Sequence, residues 1–175
     1  MKTPPRENGH IFINDPHRLR LMKTLIVYYS RTGTTRKVAE ELRTLLSAEI
    51  EEITEPKGRD GPLGWLRSGK EGSEGATPTI NTPTKTPTDY DMVILGTPVW
   101  AAKMSSPMRT YLTQTKGKLP RTAFFCTCGN GPAGGVFTDM EALAGKPATT
   151  MTLSAKDIAK GEHKAKITAF AKDVS

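Results

Sequence analysis

From Lys23 onward, apolar and polar positions switch repeatedly between two periods. Leu25 to Tyr29 (LIVYY) form an uninterrupted apolar run, a short polar loop follows, and Val38, Ala39, Leu42, Leu45 and Leu46 then recur at the spacing of one helix face. Glu49 to Thr54 (EIEEIT) alternates as a modest strand whose polar residues place it nearer a sheet edge. Residues 55–89 are rich in Pro, Gly and Thr and read as mostly irregular, with PLGWLRSGKEG long enough for one short helix. Met92 to Leu95 suit a strand buried on both faces. A helix over Ser106 to Gln114 follows, closed by Gly117 and Pro120. Next come the strand TAFFCTC, the Gly-rich loop GNGPAGG, a helical stretch VFTDMEALAG, the strand ATTMTL, and a last helix with Ile167, Phe170, Ala171 and Val174 on one face. Strands alternating with helices predict an α/β, doubly wound, five-stranded parallel sheet covered on both sides. Residues 1–21 carry Pro4, Pro5 and Pro16 among many charges without periodicity, and read as an arm preceding one domain over 22–175.

Composition narrows the class. A chain of 175 residues, 36% hydrophobic and 25% charged, suits one globular domain. No apolar run approaches the ~20 residues a membrane span needs. The balance is basic, 25 Lys+Arg against 18 Asp+Glu for a net charge of +7, so the surface attracts anions. Aromatics are only 6% and no dense Lys/Arg stripe accompanies them, which gives no clear nucleic-acid signal; an acidic protein or an anionic small molecule fits at least as well. Cys126 and Cys128 share one face of a strand and are poorly placed to pair, in keeping with a reducing, cytoplasmic home.

In a sheet of this kind ligands bind beyond the carboxyl ends of the strands, which directs attention to three loops. The first, SRTGTT (Ser30, Arg31, Thr32, Gly33, Thr34, Thr35), opens a helix whose free N–H groups and dipole favour an anion. The plainer alternative is that its hydroxyls cap the helix and Gly33 turns the chain. The second, GTPVWAAKMSSPM, puts Trp100 where an indole can stack on a flat ring or simply pack. The third, CGNGPAGG, is nearly bare backbone, open to a ligand edge or merely a wide turn.

Other patterns fail. GWLRSGK has the spacing of a nucleotide phosphate loop, but Glu71 stands where a magnesium-ligating hydroxyl belongs and no strand precedes it. GNGPAG matches a dinucleotide fingerprint, yet too little chain follows for the strand and acidic residue that fold requires. Cys126 and Cys128 lack the spacing of a redox pair, His10, His17 and His163 have no partner pattern for a metal, and no Ser/His/Asp or Cys/His constellation is present. No catalytic residue and no metal site are assigned.

Taken together, the three loops resemble those of the flavodoxin-like flavoproteins, in particular the short-chain flavodoxins. SRTGTT is similar to their phosphate loop, YDMVILGTPVWAAKMSSPMRTYL to the segment carrying their second flavin loop, and AFFCTCGNG to their fourth strand and third flavin loop. The likeness spans Lys23 to Val174. It implies strand order 2-1-3-4-5 and non-covalent FMN. Ser30 to Thr35 would surround the phosphate. Thr97, Pro98, Val99, Trp100 and Ala101 would flank the isoalloxazine, with Trp100 stacking, and Cys128, Gly129, Asn130 and Gly131 would line its pyrimidine edge. The chain departs from the family in its basic charge, in having no tyrosine in the third loop to cover the outer ring face, and in lacking the long insertion of the last strand. That face is then open, or covered by Phe137, by the arm or by another subunit of a homodimer. The resemblance implies electron transfer between protein partners, acidic ones on charge grounds. The alternatives are an FMN-dependent NAD(P)H:quinone or small-molecule reductase, and a flavin-free binding module with a basic surface.

Overall fold

The computed structural model describes residues 22–129, 131 and 133–175; the arm expected over 1–21 lies outside them. Among the described residues, the strands are β1 (Thr24–Tyr29), β2 (Glu49–Ile53), β3 (Met92–Trp100), β4 (Lys103–Met104), β5 (Arg121–Cys128) and β6 (Thr150–Ser154). The helices are α1 (Thr34–Leu46), α2 (Gly61–Glu74), α3 (Ser106–Gln114), α4 (Val136–Ala144), α5 (Ala155–Lys160) and α6 (His163–Val174), with a 3-10 turn at Pro87–Asp89.

The sheet runs β2-β1-β3-β5-β6 with all neighbours parallel, and the two-residue β4 pairs antiparallel with β3. With β4 set aside, this is the expected order 2-1-3-4-5. Because side chains alternate along a strand, β1 feeds two cores at once. Leu25, Val27 and Tyr29 pack with Met108, Tyr111 and Leu112 of α3 and Val136 and Met140 of α4. Ile26 and Tyr28 face Val38, Ala39 and Leu42 of α1 and Ile167, Phe170 and Val174 of α6. Each fully buried aliphatic chain contributes about 1.5–3 kcal/mol, so the doubled cover explains why the central strands are uninterrupted apolar runs. Edge strand β2 is only partly buried, as its alternating sequence implies.

Three elements differ from the sequence reading. α2 spans 14 residues in a region expected to be mostly irregular. Its buried face is Gly64, Ser68 and Gly72, so its packing rests on small residues rather than an apolar stripe. β3 does not stop at Leu95 but continues through Trp100, turning into β4 at Ala101 and Ala102, whose φ values of 50° and 61° are those of a primed hairpin turn. The last helical region is two helices, α5 and α6, and Ser154 and Asp157 form a reciprocal capping box at the start of α5.

Candidate functional site

The carboxyl ends of β1, β3 and β5 converge on a cleft of about 790 Å³. One end of it is built by the turn from β1 into α1. Gly33 precedes the helix at φ 89°, a conformation that strains any residue with a Cβ, and it brings no capping side chain. Ser30 supplies the cap from a distance: its Oγ accepts from the N–H of Gly33 at 3.1 Å and of Arg36 at 3.2 Å. Thr35 is buried, and its hydroxyl pairs with that of Thr127 on β5 at 2.8 Å, tying the loop to the sheet. Two of the four hydroxyls thus hold the loop's shape. Thr32 and Thr34 remain exposed on the cleft with Arg31, Gly33 and Lys37. The first turn of α1 holds no acidic residue, and Arg31 and Lys37 form no ion pair among the described residues. Helix-start amides, two free hydroxyls and two cations are the donor set of a phosphate site. Neighbouring Arg36 is spent on Glu52 at 2.6 Å.

A second wall is the end of β3. Pro98, Val99, Trp100 and Ala101 line the cleft. Thr97 does not: it is fully buried, its Oγ1 accepting from Ser105 N–H and bonding the Ser105 hydroxyl, each at 3.0 Å, so it anchors the start of α3 beneath the hairpin. Trp100 is only 7% exposed. The Tyr29 ring meets it edge-on, with centroids 5.5 Å apart at 86°, and the Arg59 guanidinium lies 5.0 Å from its centroid. Trp100 is thus chiefly a packed wall that offers a small part of its surface to the cleft.

Behind Trp100 lies a buried ionic cluster. Arg59, its side chain fully buried, makes two hydrogen bonds to Glu55, at 2.6 and 2.7 Å, and one to Glu71 on α2 at 2.6 Å. Glu55 also accepts from the Tyr29 hydroxyl at 3.0 Å, and Arg67 bonds Glu71 at 2.7 Å. Burial pushes the Glu71 carboxyl up, but the hydrogen bonds from Arg59 and Arg67 outweigh it and hold the group below its ordinary range. Burial and the Glu55 charge push the Tyr29 phenol far above its usual value. The cluster fastens α2 to the sheet, and Gly72 permits the fit, because a Cβ there would lie 2.9 Å from Trp100 Cβ.

The third wall follows β5. Cys128 and Gly129 line the cleft with Thr127. Gly131 is exposed but outside the lining, and Asn130 lies outside the described residues. Burial, then the charge of Asp157, raise the Cys128 thiol, keeping it protonated at neutral pH. Cys126, deeper in the strand, is pushed up to about 11 by burial, and both cysteines are free. Gly134, at φ 59°, sits so close to the hairpin that a Cβ would come 2.4 Å from Ala102 Cβ. Phe137 does not reach over the cleft; it stacks on Phe124 in the core, with centroids 6.5 Å apart at 28°.

The sequence reading missed the remaining walls. Trp65, Ser68 and Gly69 of α2 close one side, and Ala155 and Ile158 of α5 another. The tryptophan in GWLRSGK was the available signal: a large aromatic on a helix with no apolar stripe has no core to enter. Among the described residues no cluster of His, Cys, Asp and Glu is placed to hold a metal, and no helix is long and apolar enough to cross a membrane.

These features define a doubly wound α/β protein with uncommitted hydroxyl and cationic groups at a helix start and a cleft at the sheet's carboxyl edge. The flavodoxin family model matches residues 23–143, and the chain belongs to that family. Its fold is similar to that of a flavoprotein from Lactobacillus acidophilus NCFM solved in complex with FMN, at 25% identity and a TM-score of 0.65, covering 79% of this chain and 97% of that one. It also resembles a Bacteroides uniformis ATCC 8492 protein classed as a flavoprotein (21% identity, TM-score 0.67, 83% and 99% covered) and a Streptococcus flavodoxin (14%, 0.54, 86% and 96%).

Proposed function

We propose that the chain binds FMN non-covalently and passes electrons between protein partners. The observation that carries this reading is the continuity of the cleft, which joins a set of anion donors at the start of α1 to the β3 and β5 ends within one cavity. FMN, when bound, supplies the electron-carrying chemistry. The protein's part is to hold and tune it. Arg31, Thr32, Gly33, Thr34, Lys37 and the first α1 amides would take the phosphate, with Ser30 and Thr35 keeping that loop in shape. Pro98, Val99, Trp100 and Ala101 would flank the ring, and Cys128 and Gly129 its polar edge. The Cys128 thiol, held protonated, keeps that edge free of negative charge. Electron transfer of this kind asks for no catalytic acid or base. The charge of +7 suits acidic redox partners.

The test is uptake. Purified protein should show flavin absorption bands or acquire them on addition of micromolar FMN; a colourless protein that ignores FMN would overturn the proposal. A second reading, an FMN-dependent NAD(P)H:quinone or small-molecule reductase, draws support from the third loop, whose sequence CGNGPAGG has no aromatic side chain to cover a ring. Steady-state NADPH oxidation with a quinone by the FMN-loaded protein separates the two.

A further inference from the structure

We infer that Trp65 of α2 is the aromatic cover of the flavin ring, delivered from a helix on the β2–β3 connection rather than from the loop after β5. The inference rests on the FMN reading of the cleft. Trp65 is 62% exposed and is the one exposed aromatic side chain among the described residues, yet it lines the cleft. Ser68 and Gly69, three and four positions on, continue the same wall, so this face of α2 points into the cavity rather than past it. The other aromatic candidates are committed elsewhere: Trp100 is held between Tyr29 and Arg59, and Phe137 is stacked on Phe124. The loop after β5 reads CGNGPAGG and has no ring to offer.

Among the described residues the indole has no home. The buried face of α2 is Gly64, Ser68 and Gly72, too shallow to receive it. The helix that carries it is nonetheless fixed, through Glu71 to Arg59 at 2.6 Å and through the close fit of Gly72 on Trp100. A large flat apolar group presented rigidly at the mouth of a cleft, with no partner among the described residues, is complementary to a flat aromatic ligand. Stacking there would shield the ring from water and disfavour added charge on it.

Titrating FMN and riboflavin into the parent protein and into Trp65→Ala and Trp65→Phe tests the assignment. Trp65→Ala should weaken both flavins by the same factor, roughly three- to tenfold, and raise the reduction potential of bound FMN, while Trp65→Phe should recover most of the affinity. Parent-like binding of both flavins by Trp65→Ala, or a loss confined to FMN, would overturn the role of Trp65 and leave the FMN reading standing. A parent that takes up neither flavin would overturn both.

Discussion

At the level of single residues, the phosphate loop divides its hydroxyls between two duties. Ser30 and Thr35 are engaged within the protein, whereas Thr32 and Thr34 face the cleft. Thr34→Ala should therefore weaken FMN by roughly ten- to a hundredfold, the value of one hydrogen bond to a charged group. Riboflavin affinity should stay unchanged, and parallel titrations of the two flavins check this. Gly72→Ala tests a different contact. Its Cβ would press on Trp100 from 2.9 Å and on the Trp100 carbonyl oxygen from 3.0 Å, lifting α2 from the hairpin. An overpacking cost of about 1–3 kcal/mol is expected, read as a fall in the urea midpoint. The sequence marked Ser30 to Thr35 as a group but could not sort them, because which hydroxyl is free depends on Thr127, distant in the chain. Trp100 was legible as a residue at the cleft; its burial was not, since Arg59 and Tyr29 come together only in the fold.

Legibility of the elements follows how each is buried. β1, β3 and β5 are covered on both faces, which forces apolar runs that can be read without a partner in view. α2 was read as a short helix in an irregular region because glycine and serine form its buried face, and what holds it is the ionic cluster rather than a periodic stripe. The β3–β4 hairpin was hidden for a related reason: Ala101 and Ala102 adopt positive φ without the Asn-Gly chemistry that normally announces such a turn. The cluster gives α2 a sharp dependence on one side chain. Arg59→Met leaves Glu55 and Glu71 without their shared cation in a buried setting, which costs about 3–5 kcal/mol. Thermal unfolding should shift down by on the order of 10 °C. Replacing the cation by Met while removing both carboxylates should restore much of the loss.

For the molecule as a whole, acid tolerance is set partly at the β6–α5 junction. The Asp157 carboxylate accepts from Lys166 at 2.7 Å and from Ser154, and these bonds hold it well below its ordinary 3.8. A carboxyl depressed in the folded state stabilises the fold above the unfolded value and loses that contribution as pH falls. The stabilisation from Asp157, read by urea unfolding, should thus be present in full and constant between pH 7 and 5, then decline below about pH 4. In Asp157→Asn that acid limb should be flatter. Gly134, set against Ala102, has its own consequence at this scale. The hairpin and the segment entering α4 press directly on each other there, so the two should respond to a bound cofactor as one unit. Amide exchange should then slow in concert over residues 99–104 and 133–136 when a cofactor seats.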